Sequence, residues 1–92
     1  MPSSPLDLRM PDLLQLKVQY FAVLREQRGL TEESVAIAAT TPGELYAQLR
    51  TRHGFMLAPE MVRAAVNSAF APMNHALKSG DVVVFIPPVA GG

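Results

Sequence analysis

The sequence contains no cysteine, and this absence removes several kinds of chemistry from its 92 residues. Without a thiol, the chain has no disulfide bond, no thiolate metal site and no cysteine nucleophile of its own. An excess of either charge is also missing, because eight basic residues balance eight acidic ones. Proteins that neutralise phosphates need a basic surplus, so the composition disfavours nucleic-acid binding and polybasic membrane attachment.

Long apolar runs and familiar catalytic motifs are absent as well. No stretch of the sequence approaches the roughly 18–20 apolar residues that span a bilayer. The first residues lack the regions of a secretory signal, so we expect a cytoplasmic protein. The sequence shows no Ser-His-Asp set, phosphate-binding loop or dinucleotide-binding glycine motif. His53 and His75 stand far apart with no carboxylate at ligand spacing, so we expect no metal site.

What is present is the composition of one small folded domain, with 49% hydrophobic residues. A chain of this length has a thin core, which suits a carrier, an adaptor or an obligate subunit better than a self-contained enzyme. Residues 1–13 are rich in proline and serine, and we interpret them as a flexible arm. A docking peptide built on Leu6 and Leu8 is the alternative.

Periodicity predicts the first half of the fold. Apolar residues alternate from Leu14 to Tyr20, which is typical of a half-buried strand. Residues 24–29 follow as a short helical turn that Gly29 ends in a left-handed conformation, and residues 33–39 form a weaker strand. The segment Thr41-Pro42-Gly43-Glu44 predicts a helix start with a capping box. Leu45 and Leu49, joined by Tyr46 and with His53 as a further candidate, form its apolar stripe, and Gly54 ends it. At this helix end the charged form of His53 would suit the helix dipole.

The second half predicts three more strands. We expect a loop at 55–59, a strand at 61–66, a turn at Asn67-Ser68, a short strand at 69–71, a turn at 77–81 and a last strand at 82–86. Asp81 is expected to serve the 77–81 turn, with an activating enzyme's cation as the alternative contact. One main helix on one face of a small mixed sheet satisfies this order, so the fold class is α+β.

The last strand is apolar on both faces, because all five residues from Val82 to Ile86 are hydrophobic. Phe21 and Val23 break the alternation of the first strand in the same way. The two strands side by side would leave an exposed apolar patch, and such patches often mark partner sites. The alternative is that loop 55–60 or the N-terminal arm covers this face. Met56, Met61 and Met73 are expected to pack in the core or in loops.

The sequence ends in a stiff and then very slender segment. Pro87-Pro88 ends the strand, and Val89 and Ala90 lead to Gly91-Gly92, so we separate a domain at 14–87 from a tail at 88–92. Extended residues without side-chain bulk can thread a narrow channel and present a bare carboxylate. Adenylation of such a carboxylate, followed by displacement of AMP by sulfur, would give a thiocarboxylate.

Three blocks of the sequence together resemble a known family. The blocks lie at 17–26, 64–67 and 77–92, and the similarity runs in register from about Leu16 to the end. They read Lys17-Val18-x-Tyr20-Phe21-Ala22-x-Leu24-Arg25-Glu26, Ala64-Ala65-Val66-Asn67 and Leu77-x-x-Gly80-Asp81-x-Val83-x-Phe85-x-Pro87-Pro88-Val89-x-Gly91-Gly92. This pattern resembles the MoaD-like small subunits of molybdopterin synthase, which are ubiquitin-like sulfur carriers. Ile86 stands where an aromatic is common, and Arg63 replaces a usual aliphatic residue.

The resemblance implies a β-grasp fold and a role as the sulfur donor within a transferase whose active site lies in the large subunit. It implies that an E1-like enzyme uses ATP to adenylate Gly92, that the thiocarboxylate then donates sulfur to cyclic pyranopterin monophosphate, and that no cofactor stays bound. It implies a heterotetramer of two large and two small subunits. Together with the apolar patterns and the slender tail described above, the resemblance predicts a set of partner-binding residues, which are Phe21, Arg25, Val84, Ile86, Pro87, Pro88, Val89, Ala90 and Gly91. A sulfur carrier for thiamine or amino-acid synthesis, and a non-catalytic ubiquitin-like module, remain as alternatives.

Overall fold

The computed structural model describes residues 13–88, which form a five-stranded mixed sheet with the strand order β2-β1-β5-β3-β4. The elements are β1 (Leu14–Tyr20), α1 (Ala22–Arg28), β2 (Glu32–Ile37), α2 (Pro42–His53), β3 (Arg63–Val66), β4 (Ala69–Ala71) and β5 (Val82–Ile86). This is the predicted α+β class and its β-grasp arrangement. The predicted arm lies outside the described residues except for Leu13, and the tail does so except for Pro88; both boundaries stay predictions.

Strand pairing explains why β1 and β5 lie at the middle of the sheet. β1 pairs antiparallel with β2 and parallel with β5, with Tyr20 opposite Phe85. β5 pairs antiparallel with β3 on its other side, with Phe85 opposite Ala64. The side-by-side position that the apolar patterns of the first and last strands suggested is therefore confirmed.

The caps of α2 follow the predicted chemistry with one change. Thr41 Oγ1 accepts the Glu44 N–H at 3.1 Å, and Gly54 ends the helix at a φ of 74°. The Glu44 carboxylate, however, accepts the backbone N–H of Thr40 at 2.8 Å and its hydroxyl at 2.9 Å, one residue before the helix cap. The capping box thus extends into the preceding loop and ties it to the helix.

The core lies between α2 and the inner face of the sheet. Leu45, Tyr46 and Leu49 of α2 are fully buried there. The Tyr46 ring packs against Phe85 at 5.3 Å between centroids and stacks on Phe55 at 5.9 Å. The sheet contributes alternate residues of its strands, which are Leu16, Val18, Tyr20, Ala64, Val66, Val83 and Phe85.

Several predicted boundaries were wrong by a few residues. Helix α1 begins at Ala22 rather than at residue 24, and β2 spans Glu32–Ile37 rather than 33–39. β3 begins at Arg63 rather than at residue 61, because Pro59–Met61 forms a 3₁₀ turn. Pro59, the first residue of that turn, has no N–H to donate to a neighbouring strand. The Asn67-Ser68 turn is confirmed, since both residues adopt the positive φ of a tight hairpin turn.

The packing predicted for two of the three methionines was wrong. Met56 is 76% exposed and Met61 is 50% exposed, whereas Met73 packs partly against the core. Helices α1 and α2, the two α-helices between residues 13 and 88, both fall short of the length and apolar character needed to cross a membrane.

Candidate functional site

The face of the sheet opposite α2, which we call the outer face, carries the second set of β5 side chains. Val83 and Phe85 point into the core and are 0% exposed. Val82, Val84 and Ile86 alternate with them and are only half-buried. The excess of apolar residues in β5 therefore reaches the surface, as the sequence predicted.

The outer face divides into a polar and an apolar half. On the β1-β2 half, Glu32 pairs with Lys17 at 3.7 Å and accepts the Gln19 amide at 3.2 Å, so its polar side chains satisfy one another. On the other half, cross-strand register places Val84 beside Ala65, and Ala65 beside Phe70. We call this half the apolar patch and define it by Val82, Val84, Ile86, Ala65 and Phe70. Phe70 is 69% exposed, which is unusual for so large an apolar side chain.

A groove continues the apolar patch where the chain leaves β5. We call it the tail-root groove, and its volume is about 470 Å³. Phe21 is 51% exposed at its rim, and Ile86 belongs to both the groove and the patch. Its lining is almost wholly apolar, and it consists of Phe21, Ala22, Val23, Leu57, Ile86, Pro87 and Pro88.

Loop 55–60 forms a wall of this groove rather than a cover. The Tyr46 hydroxyl donates to the Leu57 carbonyl at 2.8 Å, and the Met56 N–H donates to the Gln27 side chain at 3.1 Å. Both bonds hold the loop against α1 and α2, and they place Leu57 in the groove. The covering role considered for this loop was therefore wrong for the groove, since Phe21 stays half exposed.

Ala22 is a groove residue that sequence reasoning missed as a site residue. Its φ is 52°, a left-handed conformation that costs an ordinary residue about 1 kcal/mol or more. The strained turn lets the chain pass from β1 directly into α1 while Phe21 stays at the surface. Leu57 was missed as well, because only the fold of the loop brings it to Phe21 and Ile86.

A polar cluster around Glu33 of β2 ties α1 to the sheet. The Glu33 carboxylate accepts two hydrogen bonds from Arg28, at 2.7 and 2.9 Å, and one from the Tyr20 hydroxyl at 2.5 Å. His53 lies 3.8 Å from the same carboxylate. The Arg28 hydrogen bonds lower the pKa of Glu33 from 4.5 to about 2, while burial, followed by the bond to Glu33, raises the pKa of Tyr20.

His53 corrects a sequence-based expectation. It ends α2 as predicted, and its ring contacts Phe55 at 5.8 Å between centroids. Its charged form was expected to be favoured by the helix dipole, but burial and then the nearby Arg28 lower its pKa. The neutral imidazole is therefore favoured at this helix end.

The Glu33→Gln variant tests how much the cluster stabilises the fold. Because the folded-state pKa of Glu33 lies below 4.5, its contribution is present above pH 4.5 and is lost as the pH falls toward 2. We expect the variant to lose about 2 kcal/mol of unfolding free energy at pH 7, less than the full shift because Glu33 keeps some contact with water. Urea unfolding at several pH values should show the two proteins converge near pH 2. Glu32→Gln is the control, because its ion pair with Lys17 is exposed and should change little.

The remaining predicted site residues divide into three groups. Pro87 and Pro88 line the tail-root groove, whereas Val89, Ala90, Gly91 and Gly92 lie outside the described residues. Arg25 is exposed on the last turn of α1 and is not a lining residue of the groove, so its partner contact stays a prediction.

Asp81 lies at the end of the predicted turn at 77–81. The turn role of Asp81 is confirmed, because its carboxylate accepts the Lys78 N–H at 2.8 Å and the Asn67 amide at 2.9 Å. Across residues 13–88, histidine and carboxylate side chains form no group of three that could hold a metal ion.

Comparison with known proteins agrees with this geometry. The ThiS family model matches residues 18–92. The molybdopterin synthase sulfur carrier subunit of Mycobacterium tuberculosis is 36% identical over 83 residues, covering 87% of this chain and 100% of the relative. The Escherichia coli protein of the same name is 35% identical, covering 84% of this chain and 99% of the relative.

A solved structure matches as well. It is the complex of subunits 1 and 2 of molybdopterin-converting factor from Helicobacter pylori, with 30% identity and a TM-score of 0.58. The match covers 86% of this chain and 100% of the matched one. With the β-grasp topology, the apolar patch and the sequence match through residue 92, the chain belongs to the ThiS family and is related within it to the sulfur carrier subunits of molybdopterin synthase.

Proposed function

We propose that this chain is the sulfur carrier subunit of a cytoplasmic molybdopterin synthase, and that the carboxylate of Gly92 as terminal residue carries the sulfur. One observation carries the proposal most directly. The apolar patch and the tail-root groove meet at Ile86, the last residue of β5, and the Gly-Gly segment begins five residues later in the sequence. A docking surface at the root of a reactive tail is what a carrier needs if a partner is to receive the tail.

The proposed partner is the large subunit of the synthase. The H. pylori complex pairs a relative of this chain with the second subunit of molybdopterin-converting factor. In this chain, Val84 and Ile86 are half-buried and Phe70 is largely exposed, so a partner could remove considerable apolar surface from water. By extension from the family we propose two small and two large subunits in the assembly.

The proposed chemistry supplies what a carboxylate lacks, which is a leaving group. The Gly92 carboxylate attacks the α-phosphorus of ATP on an E1-like enzyme, releasing pyrophosphate and forming an acyl adenylate. A sulfide-level nucleophile such as hydrosulfide then adds to the acyl carbon and expels AMP, and loss of the sulfur-bound proton leaves a thiocarboxylate. This anion is nucleophilic at neutral pH without a cysteine in the carrier. In the large subunit its sulfur forms a bond to a carbon of cyclic pyranopterin monophosphate, and water then cleaves the acyl–sulfur bond, so that the sulfur stays on the pterin and Gly92 regains its carboxylate.

Intact mass spectrometry tests the proposal. Incubation with the activating enzyme, ATP and a sulfur source should replace one oxygen by sulfur and add about 16 Da, on the premise that the sulfur acts as nucleophile at the acyl carbon. The thiocarboxylated chain, mixed with the large subunit and cyclic pyranopterin monophosphate, should then give molybdopterin. A carrier for another pathway would gain the mass and fail the second step, while a non-catalytic ubiquitin-like module would gain no mass.

A further inference from the structure

Arg63 is a cation placed inside an apolar surface. It is exposed on the outer face of β3, directly opposite Ile86 of β5, and Ile86 belongs to both the apolar patch and the tail-root groove. Its guanidinium lies over the Phe70 ring, 5.3 Å from the centroid. Arg63 therefore lies beside Ile86 and against Phe70, two large apolar side chains of the candidate docking surface.

The Phe70 ring fixes the direction of this side chain without neutralising its charge. Stacking on an aromatic face orders the flexible arginine stem and leaves the edge of the planar guanidinium free to donate hydrogen bonds. The acidic residue Glu60 lines the same surface pocket as Arg63 and Phe70, but it forms no ion pair with Arg63. Between residues 13 and 88, no carboxylate lies within ion-pair distance of Arg63.

A partner that covers Val84, Ile86 and Phe70 must also remove water from Arg63. Burying an uncompensated charge would cost more than the neighbouring apolar contacts could offset, so the partner has to supply a counter-charge. A planar guanidinium held in place is best matched by a carboxylate that accepts two hydrogen bonds.

We propose that Arg63 is a specificity determinant of the docking surface, which recognises an aspartate or glutamate on the large subunit, and this inference rests on the proposed function. The carboxylate would lie over the paired strands β3 and β5 beside Ile86, close to where the chain leaves β5. The ion pair would fix the rotational register of the partner on a patch whose apolar contacts alone are not directional.

Calorimetric titration of the full chain with the large subunit of the same organism tests this. We expect Arg63→Met and Arg63→Glu to raise the Kd by about 30-fold or more, and Arg63→Lys to have a Kd between theirs and that of the wild type. Reversal of one interface carboxylate of the large subunit to lysine should restore binding by Arg63→Glu. Arg52→Glu is the matched control, because it changes the net charge by the same amount as Arg63→Glu at an exposed position of α2.

The outcomes separate the inference from the proposed function. Wild-type affinity in Arg63→Met, together with weakened binding in Val84→Asp, would overturn the recognition role and leave the docking surface intact. Equal losses in Arg63→Glu and Arg52→Glu would overturn it too, because net charge alone would then explain the effect. A wild-type chain that fails to bind the large subunit would contradict both proposals.

Discussion

Addition of one alanine after Gly92 is expected to abolish thiocarboxylate formation while leaving the fold unchanged. The added residue moves the reactive carboxylate by about 3.8 Å and places a Cβ next to it, so neither the activating enzyme nor the synthase can align the acyl carbon. Misplacement of a reacting group by much less can cost about 100-fold in rate, and we expect at least that loss. Intact mass after incubation with activating enzyme, ATP and sulfur source measures the product.

Two companion variants sharpen this experiment. An alanine inserted after Ser4 lengthens the chain equally, yet it should still gain sulfur at Gly92. Gly91→Ile keeps the terminal glycine but adds a bulky side chain beside it. If this variant also gains no sulfur, the activating enzyme must hold the tail in a narrow channel as well as requiring glycine at its end. An extended chain that stays extended by mass and still becomes thiocarboxylated would refute the requirement that the sulfur-bearing carboxylate belongs to Gly92.

Val84→Asp is expected to weaken binding of the large subunit by about 100-fold, because docking would desolvate a carboxylate at the middle of the apolar patch. The fold should survive, since Val84 points to the outer face and is only half-buried. Val83→Asp is the structural contrast one residue away. Val83 is 0% exposed, so the same substitution there should unfold the protein.

A matched control for Val84→Asp is available on the same face. Ser34→Asp adds the same charge on exposed β2, in the polar half of the outer face, and should leave the affinity within about twofold because that half is not part of the patch. Circular dichroism should confirm that both single variants are folded. Equal affinities of Val84→Asp and the wild type would show that the partner binds elsewhere.

Local patterns predicted the elements that depend on neighbouring residues. The alternation from Leu14 to Tyr20 predicted β1 and its buried face, since every second side chain of a strand shares a face. Thr41 and Gly54 predicted the ends of α2, because capping acts within one turn of the helix. The expected packing of Met56 and Met61 in the core or in loops was wrong, because an apolar residue type does not by itself decide whether a side chain is covered.

Contacts between segments that are distant in the chain could not be predicted from local patterns. The pKa of His53 is lowered by burial and by Arg28, and neither cause can be read from residues close to His53 in the chain. The position of Leu57 in the groove depends on hydrogen bonds to Tyr46 and Gln27, which belong to two different helices. Such features follow from packing between distant segments, which carries no local periodic signal.

The sequence by itself determined that β5 has more apolar side chains than one face can bury, and that a proline-stiffened segment leads from it to Gly91-Gly92. Composition and order are enough for these conclusions. Only the tertiary structure decided what surrounds that strand. The parallel pairing of β1 with β5 brings Phe21 to the groove beside Ile86, and the antiparallel register of β3 sets Arg63 opposite Ile86. A shift of one residue in either pairing would send these side chains to the other face. Register, which long-range packing fixes, therefore decided that the apolar outer side of β5 lies beside both the groove and the Arg63 cation.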